Sequence, residues 1–354
     1  MRIVVTGATG NVGTSVLRAL GSEPAVDEIV GLARRRPDIA MPKTTWVEAD
    51  VVHSDLVPIF DGADAVIHLA WLIQPSRDEA SMHATNVDGS ARVFAAAASA
   101  GVGALVHASS IGAYSPGPKD APVSESWPTG GIQSSYYSRQ KSETERLLDR
   151  FELGHPGPRV VRLRPGLIFK REAATEIRRF FAGPFLPNPL VRPGLIPVLP
   201  VTDRLVVQAV HADDIGDAYR RAAVDDRANG AYNIAAQPVL DPAVLGRALG
   251  ARPLKVPASA LRRAAEVSWR LRLQPTHPSW LDMGLGVPVM DTTRARDELG
   301  WSERRSSEEA LLELMDGIRR GEDFATPPLS KRASGPLRLR EIATGVGARV
   351  GLGS

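Results

Sequence analysis

The 354-residue sequence contains no cysteine. That excludes disulfides, thiol nucleophiles and cysteine-ligated zinc, and it fits a reducing compartment. The seven histidines show no metal-ligand spacing, so no metal is expected. Long hydrophobic runs are also missing. The longest weakly charged stretch, VFAAAASAGVGALVHASS at 93–110, is too short and too rich in alanine and glycine for a membrane span. It reads as a helix end followed by a strand. The opening MRIVVTGATG lacks a basic leader segment and a cleavage site, which sets the expectation of a cytoplasmic protein with no membrane partner. Excess charge is scarce where it would matter. The formal net charge is +3, yet residues 331–354 alone carry +4, leaving −1 for the preceding 330. The basicity belongs to a Gly-rich tail, read as a solvated flexible end, and the body offers nothing for nucleic acid.

What the chain does have is alternation. RIVVTG, EIVGLA, TTWVEAD, DAVIHLA, ALVHASS and RVVRLR are strand candidates separated by amphipathic or Ala-rich segments. This pattern predicts βαβ units and a Rossmann-type, doubly wound parallel sheet buried on both faces, an α/β fold. Residues 1–169 are expected to form a dinucleotide-binding domain to which 205–236 return. Residues 170–204 and 237–330 then form a smaller, mainly helical substrate lobe, and 331–354 the basic tail. Inside the lobe, GPFLPNPLVRPGLIPVLP holds six prolines and reads as loop over a cavity.

The loop VVTGATGNVG sets Gly7, Gly10 and Gly13 between a strand and a helix start, where backbone amides and the helix dipole suit a pyrophosphate. Thr9, Asn11 and Val12 share that loop. An acidic residue for the ribose 2′-hydroxyl of NAD is expected about 20 residues on. Ala33 stands there instead, followed by Arg34, Arg35 and Arg36. Guanidinium groups suit a 2′-phosphate, so NADP is the preferred cofactor, with NAD as the alternative. Asp50 ends the next strand candidate, beside Val51, and reads either as an adenine contact or as a turn residue.

In SYYSRQKSE, Tyr137 lies four residues before Lys141, on one helical face, whereas Tyr136 has Gln140 at that spacing. A nearby ammonium favours the phenolate, and such a tyrosine can pass a proton while hydride moves to or from a nicotinamide. The strand ending in Ser109 and Ser110 offers hydroxyls for the same substrate oxygen.

With TGATGNVG, ADAVIHLA, NVDGSARVF, VHASSIGAY, YSRQK, RLRPG, QAVHADDIGDAY and TTRARDELGW, the chain resembles the extended short-chain dehydrogenase/reductase superfamily, the NAD-dependent epimerase/dehydratase family, over about residues 1–320. The resemblance implies that Ser110 and Tyr137 are catalytic. It further implies that Lys141 binds the nicotinamide ribose and lowers the tyrosine pKa. Leu69, Ala70, Asn86, Ser109 and Pro165 fall at cofactor-side positions, with Arg164 beside Pro165. Trp71, Ile111 and Leu167 fall on the substrate side. It also implies a homodimer formed through the tyrosine helix and its neighbour.

The chain departs from that family in two respects. Ile111 and Gly112 replace the Asp-Glu pair of the sugar-nucleotide dehydratases, which argues against dehydration. Leu167 and Val207 stand where related epimerases place Asn and Arg on the substrate diphosphate, although Arg192 or Arg204 could compensate. The leading expectation is therefore an NADP-preferring oxidoreductase for a fairly apolar, non-nucleotide small molecule. The alternatives are a nucleotide-sugar epimerase that retains its cofactor, and a non-catalytic dinucleotide-binding redox sensor, against which the Tyr and Lys pair speaks.

Overall fold

The computed structural model describes residues 1–74, 76–343, 346 and 347. The apolar runs become strands β1 (Arg2–Thr6), β2 (Glu28–Ala33), β3 (Thr44–Glu48), β4 (Ala65–His68), β5 (Ala104–Ala108) and β6 (Arg159–Pro165). Then follow β7 (Leu167–Phe169), β8 (Val198–Val201), β9 (Val207–His211), β10 (Gly230–Ile234), β11 (Ala236–Leu240) and β12 (Arg252–Lys255). Seven of them form one parallel sheet in the order β10-β6-β5-β4-β1-β2-β3.

Because successive side chains of a strand point to opposite faces, each strand feeds two cores. Ile3, Val5, Ile67, Val106 and Val161 meet Val16, Leu17 and Leu20 of helix Asn11–Gly21 and Ile215 and Tyr219 of helix Ala212–Val224. Val4, Val66, Leu105 and Val160 face Phe94 of helix Gly89–Ser99 and Leu148 and Phe151 of helix Tyr136–Gly154. Each such fully buried aliphatic side chain contributes about 1.5–3 kcal/mol, which is why runs without alternation read as strands covered on both sides. The order reverses between β1 and β4, and the glycine loop lies beyond their carboxyl ends against Leu69–Ala70, the position at which such sheets hold their ligands.

The smaller lobe is mainly helical, with helices Pro242–Leu249, Ala258–Arg270, Ser279–Gly286 and Ser307–Arg320. Two small sheets, β11-β9-β7 and β12-β8, join it to the main sheet. The Pro-rich stretch is not all loop. It ends in β8, which pairs with β12, and Phe185 and Ile196 stand exposed at the surface rather than over a cavity. Residues 331–343 also differ from the flexible tail expected of them. Arg178 and Glu341 form an ion pair there with 3% and 7% side-chain exposure, and Ser334 is buried. Breaking one side of a pair that deep costs about 3–5 kcal/mol, so this stretch is anchored. Residues 344–345 and 348–354 lie outside the described residues.

Candidate active site

The glycine loop is built for close approach. Gly7 has φ +69°, and a Cβ there would fall 2.7 Å from the Ala70 nitrogen. A Cβ on Gly13 would fall 2.3 Å from the Gly7 carbonyl oxygen. Gly10 caps helix Asn11–Gly21 without any side-chain hydrogen bond. The first-turn amides of Asn11, Val12 and Gly13 thus keep the donors that a helix start leaves without intrahelical partners. This cradle fits a dinucleotide pyrophosphate. The Asp50 carboxylate accepts from the Val52 amide at 2.7 Å and shapes the turn after β3, with Val51 buried beside it.

Tyr137 and Lys141 project from the first two turns of helix Tyr136–Gly154, capped by Ser135. Burial pushes the Tyr137 phenol up to about 12, and the neighbouring Ser110 hydroxyl pulls the other way. Lys141 Nζ donates to the Ala108 carbonyl at 2.6 Å, lies 3.3 Å from the Trp71 ring centre and 5.8 Å from that of Tyr137. Burial drives the amine well below its ordinary range, and Glu145, one turn further along, counters it. Tyr136 has a different occupation. Its hydroxyl donates to the Ile73 carbonyl at 3.2 Å and accepts from Trp280 Nε1 at 3.0 Å, which ties the tyrosine helix to the lobe.

The structure brings together Ser110, Tyr137, Lys141, Trp71 and Ile111, with Ile111 and Tyr137 in one apolar cluster. Asn86 clamps the loop that carries Trp71, since its amide donates to the Leu72 carbonyl at 2.8 Å and accepts from the Leu72 amide at 2.6 Å. Trp71 Nε1 is buried with no hydrogen-bond partner among the described residues. Ser109 does not join the group, because its hydroxyl donates to Glu145 Oε1 at 2.5 Å. Pro165 ends β6 beside Ile234, and Arg164 holds Glu145 through two nitrogens at 2.8 and 2.9 Å. Leu167 starts β7 and is 37% exposed.

Trp280 and Lys119 had no place among the sequence expectations, whereas Arg204 was expected as a compensating cation. Trp280 stacks 4.8 Å from the Tyr137 ring, and Phe181 meets Trp280 edge-on at 5.1 Å. Lys119 Nζ donates to the carbonyls of Val206 and Gly284, both at 2.8 Å, while Arg204 donates to those of Leu285 and Gly117. Burial and then the nearby Arg204 lower the Lys119 amine to about 7. Neither cation has a carboxylate within ion-pair distance among the described residues. Glu145, at the same four-residue step beyond Lys141, also had a signal in the sequence.

A model of the NAD dependent epimerase/dehydratase family matches residues 3–235. An uncharacterised protein of Mycobacterium tuberculosis is 29% identical over 323 residues, covering 90% of this chain and 30% of its own length. The chain therefore spans less than a third of that curated relative. A UDP-glucuronic acid 4-epimerase of Bacillus cereus, solved with UDP-glucuronic acid and NAD, superposes with TM-score 0.66 at 17% identity over 90% of this chain and 99% of that one. A UDP-glucose 4-epimerase of Thermotoga maritima, solved with UDP-glucose, gives TM-score 0.67 at 20% identity over 91% and 99%.

Two expectations are corrected by these findings. The preference for NADP fails, because the dinucleotide named in the similar solved structures is NAD. Arg34, Arg35 and Arg36 are exposed after β2 and make no ion pair among the described residues, as solvated arginines do. The non-nucleotide substrate fails too, because those structures hold UDP-sugars. The apolar Leu167 and Val207 misled because they begin two strands of the small sheet, while cations sit elsewhere, at Lys119 and Arg204. The family match spans most of the main sheet, the glycine loop, and the strand and helix that carry Ser110, Tyr137 and Lys141: the chain belongs to the NAD dependent epimerase/dehydratase family, within the extended short-chain dehydrogenase/reductase superfamily.

Proposed function

We propose that this chain is an NAD-dependent epimerase of a nucleotide sugar. The observation that carries the reading is the grouping of Tyr137 with Ser110 beside it, Lys141 5.8 Å from its ring, and Trp71 and Trp280 packed around it. The amides of Asn11, Val12 and Gly13 would hold the pyrophosphate, Asp50 and Val51 would flank the adenosine, and Lys141 and Asn86 would stand at the nicotinamide side. NAD, when bound, supplies the acceptance and return of a hydride at one sugar carbon.

Tyr137 takes the proton of the hydroxyl on that carbon as the hydride leaves, and gives it back when the hydride returns to the opposite face. Ser110 bridges the two oxygens and shares the proton. A protonated Lys141 beside the phenol stabilises the phenolate against burial. Trp280, Trp71 and Phe181 offer apolar faces to a sugar ring and keep water away. Lys119 and Arg204 lie at the end of helix Ser279–Gly286, one turn beyond Trp280, and support the substrate diphosphate. Ile111 and Gly112 supply no extra acid or base, which disfavours dehydration.

A soluble, cytoplasmic homodimer accords with this reading; no helix among the described residues is long and apolar enough to cross a membrane. The test is Tyr137→Phe assayed on UDP-sugars. Epimerisation should fall by roughly three orders of magnitude or more while NAD stays bound. Turnover at the wild-type rate would refute the mechanism, and protein that carries no NAD would refute the cofactor.

A further inference from the structure

Beyond helix Ser307–Arg320, the segment Glu322–Ala343 crosses to the glycine loop. The Glu322 carbonyl accepts from Thr175 Oγ1 at 2.7 Å, and Phe324 lies under the Arg18 guanidinium at 5.2 Å. Thr326, 1% exposed, donates its hydroxyl to the Thr9 carbonyl at 2.8 Å. On the other side of that peptide the Gly10 amide donates to the Gly7 carbonyl at 3.1 Å. A trans peptide is planar, with its C=O and N–H opposed, so the two bonds together fix the tilt of the Thr9–Gly10 unit and the aim of the amides that follow. Further on, the Pro328 carbonyl accepts from Arg179 at 2.8 Å and Leu329 is fully buried. Glu341 then receives Arg178 at 2.6 and 3.2 Å.

The segment thus fastens the glycine loop on one side and residues 174–182 of the lobe on the other. Thr9 itself is left 7% exposed. We infer that Glu322–Ala343 is a wall of the dinucleotide site, fastened by the Thr326 hydroxyl, and that its detachment from Thr9 sets how fast the dinucleotide leaves. The inference rests on the epimerase reading. Hydride taken from a substrate molecule must return to the same molecule, so the dinucleotide has to outlast the turnover. Thr326 is a positioning residue in this scheme, acting through Thr9 and touching neither the substrate nor the reacting atoms.

The experiment uses full-length protein loaded with NADH and chased with excess NAD, following the loss of bound-NADH fluorescence. Wild type, Thr326→Val, Thr326→Ser and Glu341→Gln are compared, with the melting temperature of each unloaded protein as a second readout. Thr326→Val and Glu341→Gln should release NADH about fivefold faster or more, as expected for the loss of one hydrogen bond, while Thr326→Ser stays within about twofold of wild type. Wild-type release rates in both Thr326→Val and Glu341→Gln would overturn the inference and leave the epimerase reading standing. Lower melting temperatures without faster release would overturn it equally, since that is what a merely structural wall would give. A wild type with no affinity for NADH would overturn both.

Discussion

Lys141 and Glu145 stand one turn apart, and that step has a pH dependence written into it. Burial works against the Lys141 ammonium and Glu145 works for it. With Glu145→Gln, Lys141 should lose its proton at lower pH. The alkaline limb of the kcat/KM profile then moves toward acid, and kcat falls about tenfold with KM little changed. A superimposable pH profile would remove Glu145 from that role. Burial alone would raise the Glu145 carboxyl, but Arg164, Arg162 and Ser109 outweigh it and hold it at about 2, against 4.5. The native state therefore binds fewer protons between those values. The stability Glu145 contributes is present above about 4.5 and lost as pH falls toward 2, roughly 3 kcal/mol in all. Acid unfolding followed by circular dichroism should show a shallower loss in Glu145→Gln than in wild type over that window. The positions of Tyr137 and Lys141 were legible because helical spacing fixes them, whereas the strand end offered Ser109 and Ser110 alike and only the family resemblance chose Ser110. Trp280 was not: it comes from a lobe segment whose apolar residues look the same whether they pack a core or line a cleft, and for the same reason Phe181 was open between those two readings. Arg34 and Arg35 were legible as charges but not as solvated ones.

The glycine loop and its helix act as one element. The Gly13 position leaves no room for a methyl group. Gly13→Ala should separate the loop from the helix and weaken NADH binding by roughly tenfold or more, measured by fluorescence titration. Unaltered affinity would mean that the loop has slack the structure does not show. A second element is held by sequence-local chemistry: Ser306 and Glu309 form a reciprocal capping box at the start of helix Ser307–Arg320. Ser306→Ala should cost about 1 kcal/mol, read as a lower midpoint in urea with unchanged slope. The strands of the main sheet were readable because burial on both faces demands unbroken apolar runs. β8 and β12 were hidden, since both contain proline and each satisfies only one neighbour.

Taken as a whole molecule, the two halves are joined where Lys119 and Arg204 donate to the carbonyls of Gly284 and Leu285. Arg204 lies near enough to lower the Lys119 amine, and neither has a carboxylate within ion-pair distance among the described residues; in the proposed function the pair holds the substrate diphosphate. Lys119→Ala or Arg204→Ala should raise KM for a UDP-sugar by about tenfold, and the difference from wild type should shrink in high salt. Equal KM values at low salt would place the diphosphate elsewhere. The bond from Thr326 to Thr9 spans 317 positions of the chain. Synthesis delivers the glycine loop 317 residues ahead of the residue that fastens it. Until then the nascent sheet presents the loop without its wall. On the inference above, a firm hold on the dinucleotide requires both ends of this fold, so that slow release would report that the fold is closed.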